Sequence, residues 1–207
     1  DRLDFTKGIP ERIKAYERFL EQYPEWHGKI TYVMLCVPSR DKILQYQQLK
    51  REVDELVGRV NGRFNTPDWT PILYMYRSVP FEVLVSLYSC ADLALVCPLR
   101  DGMNLVAKEY VACQSVARKG MLILSETAGA AAELSEAIFV NPNNIEGIAA
   151  AIAEGLKLTE TEKINAIQVM TSRINHYNVF RWGEDFLEQL LTAKENQEQK
   201  RKFLIQG

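Results

Sequence analysis

Asp101 and Glu109 stand on either side of seven residues in Arg100-Asp101-Gly102-Met103-Asn104-Leu105-Val106-Ala107-Lys108-Glu109. The apolar run Leu93-Ala94-Leu95-Val96 leads into this stretch, and Cys97-Pro98 ends the run, because proline cannot donate to a strand ladder. Leu93 to Val96 therefore reads as a buried parallel strand. Asp101-Gly102 reads as a turn and Met103 to Gln114 as a helix. A short loop that leaves a strand's carboxyl end and opens a helix presents free amides and the positive end of a dipole, where an α/β sheet seats an anion. One carboxylate sits at the mouth of that helix and the other about two turns along it. The plainer reading is strand, turn and amphipathic helix, with Asp101 as N-cap.

Three cations could serve the same anion chemistry. Arg2 and Lys7 precede a helix whose first turn holds Pro10 and Glu11, residues suited to a helix start. A helix N-terminus does not stabilise a cation, so either the two share an anion or they are solvated surface charges. Arg40 lies in Pro38-Ser39-Arg40-Asp41, after the β-branched apolar run Ile30 to Val37. A guanidinium grips phosphate with two prongs; the alternative is a surface charge near a helix cap.

The elements that position these residues alternate along the chain. Helices are expected from Ile9 to Tyr23, with Ile13, Tyr16, Phe19 and Leu20 inward, and from Ile43 to Val60, with Leu49, Val53, Leu56 and Val60 inward. The basic residues of the second helix read as a solvated face. Asn61 to Pro67 reads as a turn-rich loop. Ile72 to Tyr76 is the next strand, followed by a helix through Ser89. Gly120 to Leu124 and Ile138 to Val140 are further strands. The small residues in Ser125 to Leu134 allow a helix start to approach a ligand or the sheet. An alanine-rich helix spans Ile145 to Leu158, and Thr159 with Glu162 forms a capping box for the next. The terminal helix starts at Phe180, and residues 192–207, with the charges of Lys194 to Lys202, form a helical or frayed tail. The fold class is α/β, a Rossmann-like doubly wound parallel sheet in order 3-2-1-4-5-6. Trp69 reads as packing, His27 has no assigned partner, and His176 reads as structural.

Composition narrows the function. A net charge of −2 offers no footprint for nucleic acid or an anionic membrane, and no apolar run is long enough to span a bilayer. Cys36, Cys90, Cys97 and Cys113 show no metal spacing and read as reduced packing residues of a cytoplasmic protein. There is no Gly-x-Gly-x-x-Gly and no Gly-x4-Gly-Lys-Ser/Thr, which argues against a dehydrogenase and a P-loop NTPase. The abrupt opening at Asp1-Arg2-Leu3 suggests one half of a larger protein.

The run Asp101 to Tyr110 resembles the acidic-x7-Glu signature of GT-B retaining glycosyltransferases, in the wording of the trehalose-6-phosphate synthases of glycosyltransferase family 20. Arg2-Leu3-Asp4-Phe5-Thr6-Lys7-Gly8, Ser39-Arg40, Val60 to Phe64, Trp69 to Ile72 and Ser125 to Ala131 are similar to the same family, with Phe5 in place of a common tyrosine and Thr127 in place of a common phenylalanine. The resemblance runs from Asp1 to about Leu191. It implies the C-terminal, nucleotide-sugar-binding half of a GT-B enzyme that moves glucose from UDP-glucose to glucose-6-phosphate with retention, releasing UDP. It implies Arg2 and Lys7 on the diphosphate, assisted by the amides of Gly102 to Val106. It puts Asp101, Gly102, Met103 and Asn104 on the glucose, Glu109 on the ribose, Leu84 on the base and Arg40 on the acceptor phosphate. Pro80 stands where other members carry a polar or basic residue. Neither cofactor nor metal is implied. The partners implied are an N-terminal domain of the same enzyme and, in fused members, a phosphatase domain. The fragment alone should be inactive. Alternatives are a related synthase such as a glucosylglycerol-phosphate synthase, an ADP- or GDP-glucose enzyme, or a non-catalytic ligand-sensing subunit.

Overall fold

The computed structural model describes residues 1–114 and 120–205, with the side chains at 195 and from 198 onward outside the described set. Those side chains include most of the charged tail. Strands are β1 (Tyr32–Cys36), β2 (Ile72–Tyr76), β3 (Leu93–Val96), β4 (Met121–Ser125) and β5 (Ile138–Val140). Helices are α1 (Ile9–Gln22), α2 (Leu44–Phe64), α3 (Phe81–Cys90), α4 (Val106–Cys113), α5 (Ile145–Lys157), α6 (Glu160–His176) and α7 (Val179–Ile205).

All strand pairs are parallel, and every strand connection is made through a helix or a long loop, as a doubly wound α/β fold requires. The expected single sheet is, however, observed as two: β1 pairs with β2, and β3, β4 and β5 pair in that order. Beside the end of β1, Arg2 bridges Val37 in parallel sense. Leu3 N donates to Val37 O at 2.9 Å and Val37 N to Asp1 O at 2.8 Å. A cavity of about 540 Å³ lies between β1 and β3, lined by Val33, Leu35, Leu93 and Leu95 among others. Arg12 also lines it, pairing with Asp1 at 3.0 Å and donating to Leu95 O at 3.1 Å.

The core gathers the inward faces of α1, α2 and α5 around the sheets. Ile13, Tyr16, Phe19 and Leu20 of α1 are buried, as is the α2 stripe Leu49, Val53, Leu56 and Val60. The alanines of α5 let it lie close against α1. Three expectations are corrected here. Asn61 to Phe64 belong to α2 rather than to a loop, because the Asn61 amide leaves the turn chemistry and pairs with Ile72 instead, donating to its carbonyl at 3.0 Å and accepting from its amide at 2.9 Å. The basic side chains of α2 are not a merely solvated face. Arg59 pairs with Glu17 and Arg63 with Glu17 and Glu21 across to α1, while Lys50 sits over the Tyr76 ring. His27 has partners after all, the Leu20 carbonyl at 2.8 Å and a stacked Trp69. Trp69 packs and donates its indole N–H to Ile30 O at 2.8 Å. Thr159 and Glu162 close the capping box.

The chain divides into two compact units, Asp1–Thr171 and Ser172–Gly207. The second consists of the end of α6 and α7, and α7 exposes Val179, Phe180, Trp182, Phe186, Leu187, Leu190 and Leu191. No described helix is long and apolar enough to cross a membrane.

Candidate functional site

Three segments from distant parts of the first unit meet at the carboxyl end of β3. The first is a 3-10 turn, Phe5–Lys7, capped by Asp4, whose carboxylate accepts from Thr6 N at 3.0 Å. Gly8 then turns left-handed at φ 61°. A Cβ there would stand 2.3 Å from the Cys97 carbonyl oxygen, so only glycine lets this turn press on the loop after β3. The second segment is that loop. Leu99 N donates to Thr6 O at 2.8 Å. The third is the turn after β4, where Gly129 N donates to Asp101 O at 2.9 Å. Ser125 and Thr127 both donate their hydroxyls to Pro98 O at 2.8 Å.

Lys7 Nζ lies 2.6 Å from Asp101 Oδ2, both side chains largely buried. Burial opposes the charged form of Asp101. Hydrogen bonds from Lys7 and Asn104, with the charges of Lys7 and Arg2, outweigh it and hold the carboxyl below the ordinary range. Asn104, 3% exposed, donates to Asp101 at 2.9 Å and accepts from Ala107 N at 3.0 Å. This corrects two expectations. The helix begins at Val106 rather than Met103, with Leu105 at its N-cap, and the side chain that accepts from an amide of its first turn is Asn104, not Asp101. Asp101 is engaged by Lys7, leaving Gly102 to Leu105 as loop. Among the described residues the amides of Gly102 to Val106 donate to no protein acceptor. Met103 and Leu105 expose most of their side chains beside them.

Glu109 is exposed on the first turn of α4 and accepts from the Tyr88 hydroxyl at 3.3 Å. Burial, joined by the Glu109 carboxylate, pushes the Tyr88 phenol well up. Arg2 is exposed, and its charge reaches Asp101. Leu84, half-buried on α3, lines the cavity between β1 and β3. Arg40 follows β1 and donates to the Tyr46 hydroxyl at 2.8 Å. The structure thus brings Lys7, Asp101 and Asn104 into direct contact, and among the described residues no hydrogen bond or ion pair ties Leu84 or Arg40 to them. Cys97 is buried and its thiol is pushed up to about 12 by that burial, so it packs. All four cysteines are unpaired, and Cys90, expected in the core, is exposed. Among the described residues no three His, Cys, Asp or Glu side chains are grouped to hold a metal ion.

The model of glycosyltransferase family 20 matches residues 1–192. The chain belongs to that family. It is 49% identical over 204 residues to a bifunctional trehalose-6-phosphate synthase/phosphatase from Thermoproteus tenax, covering 99% of this chain and 28% of the relative. A solved structure described as "Trehalose-6-phosphate from E. coli bound with UDP-2-fluoro glucose" superposes with a TM-score of 0.89 at 42% identity, covering 92% of this chain and 42% of that one. An α,α-trehalose-phosphate synthase (UDP-forming) from Burkholderia xenovorans in complex with glucose-6-phosphate gives 0.89 at 41% identity, with the same coverage. The chain spans well under half the length of these relatives. At such identities and scores the α/β architecture is that of the GT-B relatives. Within this family-20 chain, Thr127 gains a structural account, since its hydroxyl is one of two that hold the Pro98 carbonyl. Sequence reading pointed to the stretch from Ser125 to Leu134 but gave no role to Ser125, Thr127 or Gly129 within it, and it missed Tyr46 and Tyr88. The one signal available was a polar residue, Thr127, inside a stretch otherwise rich in alanine and glycine.

Proposed function

We propose that residues 1–191 are the donor-binding half of a retaining, UDP-forming α,α-trehalose-phosphate synthase, with 192–207 as a charged tail. The observation that carries the reading is the 2.6 Å contact between Lys7 and Asp101. It joins Lys7, one of the two cations near the start of the chain, to the loop whose amides are unclaimed by protein. The UDP-sugar and glucose-6-phosphate complexes described for the E. coli and Burkholderia relatives support the donor and the acceptor.

In this reading Arg2 and Lys7 take the diphosphate, with the amides of Gly102 to Val106. Asp101, Met103 and Asn104 face the glucose, Glu109 the ribose hydroxyls, Leu84 the base, and Arg40 the acceptor phosphate. The bond from glucose C1 to the phosphate oxygen breaks, its electron pair leaving on UDP. The acceptor hydroxyl oxygen bonds to C1 on the same face, and its proton passes to the departing phosphate oxygen. The cations stabilise the charge that develops there. No metal or cofactor takes part. The second half of the acceptor site belongs to an N-terminal domain of the same protein, so this chain alone binds UDP but transfers nothing. A phosphatase module in the same protein, as in the name of the T. tenax relative, is a further expectation. The four unpaired cysteines suit the cytoplasm.

Calorimetry of this chain with UDP, ADP and GDP tests the reading. UDP binding should weaken about tenfold in Lys7→Ala and in Glu109→Ala, one lost charge-assisted contact each. UDP binding that ignores both substitutions refutes it, and tighter binding of ADP or GDP transfers the reading to those donors.

A further inference from the structure

Tyr46 is a buried tyrosine of α2, 8% exposed, and its hydroxyl joins two segments that the proposed site keeps apart. It accepts from Arg40 Nη1 at 2.8 Å and donates to Asp4 Oδ2 at 3.1 Å. The direction of both bonds is fixed, because a guanidinium can only donate and a carboxylate can only accept. The Tyr46 ring is held in turn, edge-to-face against Phe5 at 5.2 Å, with the Arg40 guanidinium over it at 5.5 Å. Asp4 is the cap of the turn that ends in Lys7. Burial opposes its ionisation, but bonds from Thr6 and Tyr46 and the charge of Arg40 hold its carboxyl below the ordinary range. Arg40 is the one described non-glycine residue with positive φ, at 54°. Such a conformation is unfavourable for an ordinary residue and persists where surroundings over-determine it.

We propose that Tyr46 is a positioning residue: its hydroxyl holds the Arg40 guanidinium by one nitrogen and so presents the remaining edge to the acceptor's phosphate. Among the described residues, Nε and Nη2 of Arg40 have no hydrogen-bond partner. These two nitrogens form the parallel pair that grips a phosphate with two prongs. The same hydroxyl donates to Asp4, but the Lys7 turn is capped by the separate bonds between Asp4 and Thr6, so loss of the hydroxyl falls on the Arg40 side. The inference rests on the reading of Arg40 as the acceptor-phosphate residue.

The test uses the full-length enzyme, with steady-state kinetics for the sugar-phosphate acceptor and for the nucleotide-sugar donor. Tyr46→Phe keeps the ring and removes only the hydroxyl. It should raise the acceptor KM about three- to tenfold, the range for one ordinary hydrogen bond, because the guanidinium loses its positioning and keeps its charge, and leave the donor KM and kcat within about twofold. A melting midpoint near the parent's confirms the packing. In an Arg40→Ala background the same substitution should leave the acceptor KM unchanged, because the group it positions is gone. An acceptor KM unmoved by Tyr46→Phe while Arg40→Ala raises it overturns the proposal. So do equal rises in both KM values, or additive effects in the double variant. If Arg40→Ala itself leaves the acceptor KM unmoved, the underlying reading of Arg40 fails instead.

Discussion

Gly129→Ala is the sharpest probe of the architecture around Asp101. A Cβ at this position would stand 2.0 Å from the Gly102 carbonyl oxygen and 2.7 Å from its carbonyl carbon. Ordinary contact begins near 3.4 Å, so the two backbones must part by about 1.4 Å. Neither atom is the end of a flexible side chain, so the loop itself has to move. The displacement stretches the 2.9 Å bond from Gly129 N to Asp101 O past hydrogen-bonding range. Overpacking of this kind costs about 1–3 kcal/mol, and a lost backbone bond about 1 kcal/mol more. A melting midpoint lower by roughly 5–10 °C follows for a domain of this size. Asp101 moves with the loop and away from Lys7, so UDP binding should weaken about tenfold or more. Gly62→Ala is the matched control: nothing lies within 4 Å of a Cβ there and the residue sits inside α2. That change should stabilise the chain by about 0.5–1 kcal/mol, as alanine does in a helix. Thermal melts and UDP calorimetry of both variants decide the matter. If Gly129→Ala melts and binds UDP as the parent does, the close approach of these loops is not what holds Asp101, and the reasoning is wrong.

Two further outcomes follow from the charges. The carboxyl of Asp101 is held below its ordinary range, so its stabilising contribution is complete above the unfolded value of about 3.9 and disappears only as pH falls through the lower folded value. The stability gap between the parent and Asp101→Asn should therefore stay constant from about pH 7 to pH 4 and close below that; a gap already closing between about pH 6 and pH 5 contradicts the pairing. Arg59→Ala and Arg63→Ala remove exposed pairs between α2 and α1, so each should cost no more than about 1 kcal/mol, with the loss shrinking in molar salt, as paired melts at low and high ionic strength will show.

What the sequence displayed and what it hid divide along physical lines. Strands were legible as short continuous apolar runs, and Met121 to Ser125 is buried throughout as such a run should be; Leu93 to Val96, expected buried, is mostly half-buried, and Leu73 in Ile72 to Tyr76 is exposed. Helix faces were legible from their period, as in α2. Element ends were not, wherever a side chain satisfied a backbone group at a distance. Asn61-Gly62 carries turn chemistry, yet the Asn61 amide closes on Ile72 and lets α2 continue. Asp101 is the natural cap by type, yet Asn104 accepts from the first turn and Asp101 turns to Lys7. That pairing spans 94 positions of sequence, and nothing in local spacing announces it.

The reach of those long-range pairs is itself a consequence of the topology. Parallel register puts the carboxyl ends of β3 and β4 on one side, the Arg2–Val37 bridge sets the end of β1 beside the segment that bears Lys7, and each end is followed by a loop that carries polar residues. After β1 comes Arg40, after β3 Asp101, and after β4 Thr127 and Gly129. The turn bearing Lys7 joins them because Arg2 bridges Val37 just past β1. A mixed or antiparallel sheet would send alternate loops to the opposite edge, and the same residues would be strangers. The loop after β3 is then fixed by three chemically different anchors: an ion pair from Lys7, a glycine-only approach at Gly129, and two hydroxyls on the Pro98 carbonyl. The three anchors hold successive residues of one short loop, Pro98, Asp101 and Gly102, so a displaced backbone approach at Gly129 carries the amides of Gly102 to Val106 with it. Rigid amides of that kind bind an anion without first having to order themselves, which is where a donor site gains its affinity.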